Sequence, residues 1–520
     1  MRTNHHLSKS LLVLAITTAF PTTLFAQDDD AASRIKSLEL KVQQLIDQRA
    51  EQDKQIDVLT KELVGISNQV SQSKIVKSEE KGSSKGNPVY ANFKEGIKFE
   101  DGTGNWNLQF NGRVEADYRA FSGDDGNPDT WSIRRARFNT QLGLFQNYLM
   151  RLEIDHSAAS TRLVNAYVEA NWWPQAKFRV GQFKTFKSLE NSTTDTYSDF
   201  LERSLAYNTY GDDIYERGAM VYGTPFKGST YAFAVTNGTG QGNDEALGTN
   251  QSKDGKDVTL RATINPAQWA GWSQSVTHLG GWYNHGIQAT ASASASQTEA
   301  RGVNFFAPAT FTGDSVERTR YGIETALAHG PVKLQGEYDV SNYEGTSAAT
   351  TGTGASAARA YDKDIKAWYA EAMWLVTGEN YADSYKDGQF GRILPKSNFE
   401  LNKNGWGALE LGLRYSKFDA SDFAVDSNGV CSNATTVRNL GDGTITPVGT
   451  CSGGTFKNAG GIVLGSNEAD AWTLGAKWIL NPYIRIMMNY VHTKFDTDIN
   501  VNGKLSDKED ALTMRAQLDF

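Results

Sequence analysis

The sequence lacks long apolar runs and an excess of basic over acidic residues, and it has few of the residues that build catalytic sites. Beyond residue 26, no segment holds the roughly 18 consecutive apolar residues that a membrane-spanning helix needs. Lysine and arginine total 52 against 60 aspartate and glutamate, and the resulting net charge of -8 disfavours nucleic acid as a partner. The lack of long apolar runs does not exclude a membrane β-barrel, because the strands of such a barrel alternate apolar and polar residues.

Histidine is scarce as well. Of seven histidines, two fall in the first 26 residues, and the other five show no clear pairing with a nucleophile. No group of residues has the spacing of metal ligands. An enzyme, such as a barrel lipase or protease, is therefore the weakest of the functional alternatives, and we expect no catalytic residue, no metal and no cofactor.

The two cysteines, Cys431 and Cys451, lie in one turn-rich stretch without strand periodicity. In an oxidising compartment such a pair is expected to close a surface loop with a disulfide. Two free thiols are the alternative.

The first residues have the pattern of a secretory signal. Arg2 and Lys9 precede an apolar run over residues 11–20, and Ala26 stands at a suitable cleavage point. The alternative, a membrane anchor, would need a run long enough to cross about 30 Å of hydrocarbon. We therefore predict a cleaved signal peptide over residues 1–26 and export from the cytoplasm.

Residues 27–73 are predicted to form a coiled-coil stalk in the periplasm. Apolar residues repeat in heptads: Ile35, Val42, Ile56, Leu63 and Val70 at position a, with Leu38, Leu45, Leu59 and Ile66 at position d. A parallel dimer and a parallel trimer both fit this mixture, and a lone amphipathic helix is the alternative. Residues 74–92, rich in Gly, Ser and alternating charge, are predicted to be a flexible linker.

From residue 93 to residue 520 the apolar period changes to two. The stretch WNLQFNGRVEADYRA, for example, puts Val114 and Tyr118 on one face and Arg113 and Asp117 on the other. We count about sixteen such strands, and an even number is typical of bacterial outer-membrane barrels. They begin near residues 106, 133, 148, 163, 176, 216, 229, 257, 273, 319, 332, 365, 406, 469, 483 and 510.

The predicted fold is all-β, a transmembrane antiparallel barrel, and a large soluble sandwich or β-helix is the alternative. Short turns with proline alternate with long loops, and Trp106, Trp172, Trp173, Trp478, Tyr483 and Phe520 lie near the short-turn ends, as in an interfacial girdle. Both ends of the barrel domain are then expected in the periplasm. The connection over residues 377–405 is the exception, because it should be short and is not.

A barrel of this width cannot be filled by its own side chains, so its polar faces should line water. Six segments, FNGRVEADYRAF, SIRRARFNTQLGLFQNYLMRLEIDHS, AYVEANWWPQAKFRVGQFKTFKSLENSTT, FLERSLAY, YAEAMWLVTGENY and GWGALELGLRYSKFD, resemble the phosphate-selective porin family of Gram-negative outer membranes. The resemblance covers most of the chain from about residue 93. It implies a homotrimer of sixteen-stranded barrels that passes small anions, phosphate among them, through a constriction of inward-folded loops lined by arginine.

The family match extends to Arg134, Arg135 and Arg203, and the third loop, from residue 184 to about residue 215, resembles the constriction loop. This sequence departs from the family at Asn191, where phosphate-specific members have lysine. It also departs at Val164 and Asn165, where the family has an acidic pair, and at two aromatic positions that here are Arg137 and Lys184. The predicted channel-lining cations are Arg113, Arg134, Arg135, Arg137, Arg151, Arg179, Lys184, Lys187, Arg203, Arg414, Lys477 and Arg485.

A sugar-permeable or general diffusion channel with weak ion selectivity is the alternative function, and it would need an aromatic slide built from Tyr167, Trp368 or Tyr369. The expected partners are outer-membrane lipid, two further copies of the chain and the barrel-assembly machinery, which in similar porins reads a terminal phenylalanine such as Phe520. Contact between the stalk and the cell wall is a further expectation.

Overall fold

The structure is a computed structural model, and it falls into two units, residues 1–86 and 87–520, of which the second holds the barrel. The described residues are 41, 43, 44, 47, 88–93, 95–122, 127–158, 160–211, 214–240, 255–288, 296–306, 316–347, 359–423, 436–439, 445–447, 461–463, 466–501 and 504–520. Lys41, Gln43, Gln44 and Asp47 are helical. The predicted signal peptide, the Cys431–Cys451 disulfide and nearly all of the stalk and linker lie outside the described residues.

Most of the described chain is strand. In order, the strands are β1 (Val89–Phe93), β2 (Ile97–Asp101), β3 (Trp106–Phe121), β4 (Thr130–Leu144), β5 (Tyr148–Asp155), β6 (Arg162–Trp173), β7 (Ala176–Lys184), β8 (Tyr215–Gly223), β9 (Ser229–Thr236), β10 (Asp257–Ile264), β11 (Ser275–Gln288), β12 (Ser296–Gln297), β13 (Asn304–Phe306), β14 (Val316–His329), β15 (Val332–Ser347), β16 (Arg359–Leu375), β17 (Tyr385–Lys386), β18 (Gln389–Phe390), β19 (Ala408–Asp419), β20 (Thr436–Asn439), β21 (Ile445–Pro447), β22 (Gly461–Val463), β23 (Glu468–Asn481), β24 (Ile484–Val501) and β25 (Lys504–Asp519).

Sixteen of these strands, β3 to β11, β14 to β16, β19 and β23 to β25, pair antiparallel in one closed sheet, which confirms the predicted barrel. The sheet closes where β25 pairs with β3, from Ala511 opposite Phe121 to Asp519 opposite Arg113. Phe520 extends this pairing by exchanging two backbone hydrogen bonds with Gly112. Beyond that point β2 takes over the same edge of β3, with Ile97 opposite Phe110.

The faces of the barrel are arranged as the membrane prediction requires. Outward-facing apolar side chains are exposed, as at Ile323 (68 %) and Leu474 (60 %), whereas inward-facing Asp117 and Arg320 are fully buried. A soluble sandwich would bury its apolar face instead, so this inversion excludes that alternative. Among the described residues, no helix is both long and apolar enough to cross a bilayer.

A bulge in β4 changes the direction of one functional side chain. Glu115 pairs with Arg135 and Ala116 pairs with Ile133, so Arg134 is the additional residue on this strand. An unpaired bulge residue interrupts the alternation of faces. Arg134 and Arg135 therefore both point into the barrel, although simple parity would send one of them into lipid.

The two ends of the barrel differ in their connections. At one end, turns of two to ten residues join the strands, apart from the segment over residues 376–407. At the other end the connections are longer, from 6 to 48 residues, except between the long strands β24 and β25, where two residues suffice. Aromatic side chains gather at the short-turn end, where Trp172 packs against Tyr148 and Trp173, and Trp478 packs against Phe399.

Three inward-folded segments fill part of the lumen, which is less open than the sequence predicts. They are the third loop (residues 185–214), the fifth-loop segment 296–306 and the short-turn segment 376–407. One apolar cluster joins Phe305 and Phe306 to wall residues such as Phe418, and another joins Phe200 of the third loop to Tyr381 of the short-turn segment. Water is thus displaced from the side of the barrel formed by β14 to β24.

The contact between Gly112 and Phe520 generates a first prediction. A β-carbon at Gly112 would lie 2.5 Å from Cε1 and 2.7 Å from Cζ of Phe520, which is too close for either atom to stay in place. We expect Gly112→Val to displace the ring, to destabilise the closing pair by about 1–3 kcal/mol, and to lower the temperature at which the folded barrel band disappears on gels. Ala116→Val adds bulk to the same face of the same strand and is the matched control; equal loss in both variants would contradict the prediction.

Candidate functional site

The third loop is held in shape by its own polar side chains. Ser188 caps the short helix Leu189–Ser192 by accepting a hydrogen bond from the backbone N–H of Asn191 at 3.0 Å. At the other end of the loop, Arg203 donates to the backbone carbonyls of Glu190 and Thr193 at 3.1 and 3.2 Å. These bonds satisfy the carbonyl groups that a helix end leaves without partners, so the loop enters the lumen as a preformed unit.

The tip of the loop meets a group of arginines on the barrel wall. Asp195 Oδ1 lies 3.0 Å from Arg113 Nη1, and Oδ2 lies 2.7 Å from Arg135 Nε and 3.5 Å from Arg137 Nη1. The backbone carbonyl of Thr196 accepts a further hydrogen bond from Arg485, at 3.0 Å. Strands β3, β4 and β24 therefore hold the tip of the loop, away from β7, where the loop begins.

A second carboxylate anchors the loop nearer to its end. Glu202 accepts hydrogen bonds from Arg134 at 2.7 and 3.1 Å, from Arg515 at 2.9 Å and from Arg119 at 3.3 Å. The arginine that the β4 bulge turns inward thus serves to hold the loop.

The carboxyls of Asp195 and Glu202 both have lowered pKa values. Burial by itself would raise the pKa of Asp195, but Arg113, Arg135 and Arg137 outweigh it and hold that pKa well below its usual value. In the same way, Arg134 and Arg515 overcome burial and hold the pKa of Glu202 well below its usual value. Asp195 and Glu202 therefore stay ionised across the physiological range of pH, and both anchors of the loop persist.

A cavity of about 620 Å³, the lumen cavity, runs between the third loop and strands β3 to β10 toward the short-turn end. Its charged lining is predominantly basic. Eight cations line it, Arg113, Arg137, Arg151, Lys177, Arg179, Lys184, Arg261 and Arg392, against the four carboxylates of Glu95, Glu153, Asp387 and Asp519. The excess of four positive side chains contrasts with the acidic chain as a whole.

Most of these cations form ion pairs with carboxylates of the protein. Arg151 pairs with Glu153 at 2.8 Å, Arg179 pairs with Glu169 at 2.6 Å, and the other lining arginines have similar partners. Lys177 and Lys184 differ, since no carboxylate oxygen of the described residues lies within 4.0 Å of either ammonium group. Lys184 contacts the Thr193 carbonyl at 3.4 Å, and Lys177 lies 5.6 Å from the centre of the Tyr222 ring.

The predicted lining cations separate into two sets. Arg113, Arg137, Arg151, Arg179 and Lys184 line the lumen cavity, whereas the other seven do not. Those seven hold loops or are buried in the packed half of the barrel: Arg134, Arg135, Lys187, Arg203, Arg414, Lys477 and Arg485.

Three lining cations are absent from the predicted set: Lys177, Arg261 and Arg392. Arg261 lies on the same face of β10 as Thr259 and Thr263, so strand parity could have found it. Arg392 lies in the short-turn segment, which has no period that would show its direction. The fold brings Arg392 Nη2 to 2.5 Å from Asp519, and Arg261 donates to the backbone carbonyl of Gly388 in the same segment at 3.0 Å.

The structure also locates Asn191, a position where the sequence departs from related porins. Asn191 is fully buried and donates to the backbone carbonyl of Thr185 at 3.0 Å, away from the lumen cavity.

The residues named for an aromatic slide are also located. Trp368 lies on the outer face, where it packs against Tyr415, and Tyr369 is buried with its hydroxyl donating to Glu337 at 2.8 Å. Neither Trp368 nor Tyr369 lines the cavity, whereas Tyr167 does.

A closed sixteen-strand barrel with an apolar exterior, a polar cavity and an inward loop defines an outer-membrane porin, a channel rather than an enzyme. The chain belongs to the family described as phosphate-selective porin O and P, whose model matches residues 108–520. Within the described residues, no cluster of three or more acidic, histidine or cysteine side chains is arranged to hold a metal ion.

Several solved structures match this chain at low identity. OprB of Pseudomonas putida is 9% identical, with 80% of this chain and 94% of that chain covered and a TM-score of 0.46. The outer membrane channel DcaP of Acinetobacter baumannii is 12% identical over 81% and 99% of the two chains, with a TM-score of 0.41. OmpT of Vibrio cholerae is 11% identical over 80% and 98%, with a TM-score of 0.44. None of the curated proteins compared with this chain matches it.

The lowered pKa values predict how the loop responds to acid. A carboxyl whose folded-state pKa is lowered stabilises the fold above its unfolded pKa of about 3.9–4.3 and loses that effect only as the pH falls through the folded value. We therefore expect open-channel lifetimes in planar bilayers to be the same at about pH 7 and about pH 5. Glu202→Gln should shorten them at both pH values. More frequent closing of the unmodified channel at the lower pH would contradict this anchoring role.

Proposed function

We propose that this porin lets small anions, phosphate among them, diffuse passively across the outer membrane. The observation that carries the proposal is the basic lining of the lumen cavity, where eight cations face four carboxylates. In a confined aqueous path with low-dielectric walls, fixed charges act more strongly on a passing ion than they do on an open surface. The lining therefore favours anions over cations.

Lys177 contributes most to this preference, because it has no carboxylate within ion-pair distance among the described residues and a cation paired with a carboxylate presents little net charge to a passing ion. Lys184 ends β7 beside the third loop, and Lys177 begins the same strand next to the short-turn end. About 23 Å separates their positions along an extended strand. An anion that leaves the constriction therefore meets Lys177 before it reaches the periplasm.

The molecule is further proposed to act as a homotrimer, exported by a cleaved signal over residues 1–26 and assembled through recognition of Phe520. The heptads of residues 27–73 support a stalk in the periplasm, since three parallel helices would fit a trimer of barrels. Contact of this stalk with the cell wall belongs to the same proposal.

Charge reversal at the two lysines is not needed to test selectivity, since neutralisation suffices. A unit charge about 10 Å from a passing ion in water changes the anion to cation ratio by about fourfold. We expect Lys177→Gln to lower the permeability ratio by about that factor, as read from reversal potentials under a salt gradient, and Lys184→Gln, at a position among Arg113, Arg137 and Arg203, to lower it less. Lys227→Gln removes an exposed charge outside the cavity and is the control. Cation preference in the unmodified channel would overturn the proposed function.

The stalk is tested by deleting residues 27–73. Because the barrel closes without these residues, single-channel conductance should stay the same, while the trimer band on semi-native gels becomes less heat-stable. Co-sedimentation with isolated cell wall should fall as well. Unchanged trimer stability and unchanged co-sedimentation would exclude both roles of the stalk.

A further inference from the structure

Asp195 holds the position that a bound oxyanion would take. Its two carboxylate oxygens lie among three guanidinium groups, with Oδ1 3.0 Å from Arg113 and Oδ2 2.7 Å from Arg135 and 3.5 Å from Arg137. All three arginines are nearly buried, with side chains exposed by 12 % or less. Convergent arginines of this kind recognise phosphate and carboxylate groups wherever planar donors must meet anionic oxygens.

The fit between Asp195 and the arginines is incomplete. Arg135 Nε lies within ion-pair distance of Oδ2, but its N–H is not aligned with that oxygen and finds no acceptor among the described residues. A buried guanidinium N–H without an acceptor is costly. A carboxylate offers two oxygens in one plane, whereas phosphate offers four in a tetrahedron, so phosphate could serve these donors more completely.

Even without Asp195, other carboxylates would compensate part of the charge of these three arginines. Glu115 lies 3.1 Å from Arg113 and 2.7 Å from Arg135, and Asp155 lies 3.0 Å from Arg137. These wall carboxylates keep the guanidinium groups in place, since all of them belong to the barrel strands. The site is thus built by the wall, and Asp195 is an addition that the loop brings to it.

The third loop also has anchors other than Asp195. Arg485 and Gln517 both donate to the backbone carbonyl of Thr196, at 3.0 and 3.1 Å, and Glu202 binds Arg134 and Arg515. Loss of one carboxylate at the tip therefore leaves the loop attached on both sides of that position.

We propose that Asp195 is a tethered counter-ion that occupies a phosphate-type oxyanion site formed by Arg113, Arg135 and Arg137. A tethered group competes at an effective concentration in the millimolar range or above. Dilute phosphate is therefore kept out of the site, and anions pass along the cavity without being held. The inference rests on the proposed anion channel and deepens it, because it states why this channel conducts anions without storing them.

The test uses the full-length protein in planar bilayers, with chloride carrying the current and inorganic phosphate added as the probe. In Asp195→Asn we expect phosphate to inhibit chloride conductance at a concentration at least about tenfold below any effect on the unmodified channel. Asp195→Ser, a smaller neutral residue, should behave in the same way. Adding Arg113→Gln to Asp195→Asn should abolish the inhibition, because one of the three guanidinium groups is then missing.

Asp387→Asn is the matched control, since it also removes one negative charge, from the lining of the lumen cavity at a position outside the arginine group. It should raise anion preference without producing inhibition by phosphate. Chloride currents through the Asp195 variants that phosphate leaves unchanged would overturn the proposal. So would failure of both Asp195 variants to insert where Asp387→Asn inserts, because Asp195 would then be a structural anchor.

The unmodified channel separates this proposal from the one on which it rests. Cation-selective reversal potentials would remove the anion channel itself. Anion selectivity, together with Asp195 variants that phosphate does not inhibit, would leave the anion channel intact and remove only the role of Asp195 as an occupant of the site.

Discussion

Closure of the sheet is the constraint on which every other feature depends. Hydrocarbon offers no partner to an unpaired backbone group, so the first and last barrel strands must meet, as β3 and β25 do. Closing sixteen strands leaves a lumen wider than the wall side chains can fill. The inward loops, their salt bridges and the remaining cavity all follow from the need to fill or line that space.

Charge compensation is the second level of organisation. The inward faces carry many arginines, but in the interior an arginine without a partner is costly, so carboxylates on the wall and on the third loop accompany them. What remains uncompensated is small and local. Lys177 stands out for that reason, and the function proposed for the channel depends more on it than on any one of the paired arginines.

Strand number, strand positions and the inversion of apolar and polar faces were all predictable, because a period of two is a local property that each strand carries by itself. Parity also identified Arg113, Arg137, Arg151 and Arg179 as inward. It failed at Arg134, where a bulge interrupts the alternation, and it could not assign Arg392, which lies in a connection without any period.

The amino-acid order alone thus predicts a barrel, the orientation of its faces and the inward direction of several arginines, since these depend on neighbours along the chain. Only the tertiary structure decides which cations a passing ion meets. Asp195 lies 82 residues from Arg113, and Glu202 lies 313 residues from Arg515. Such pairs form because the loop folds across the lumen, and pairing over that separation has no periodic trace along the chain.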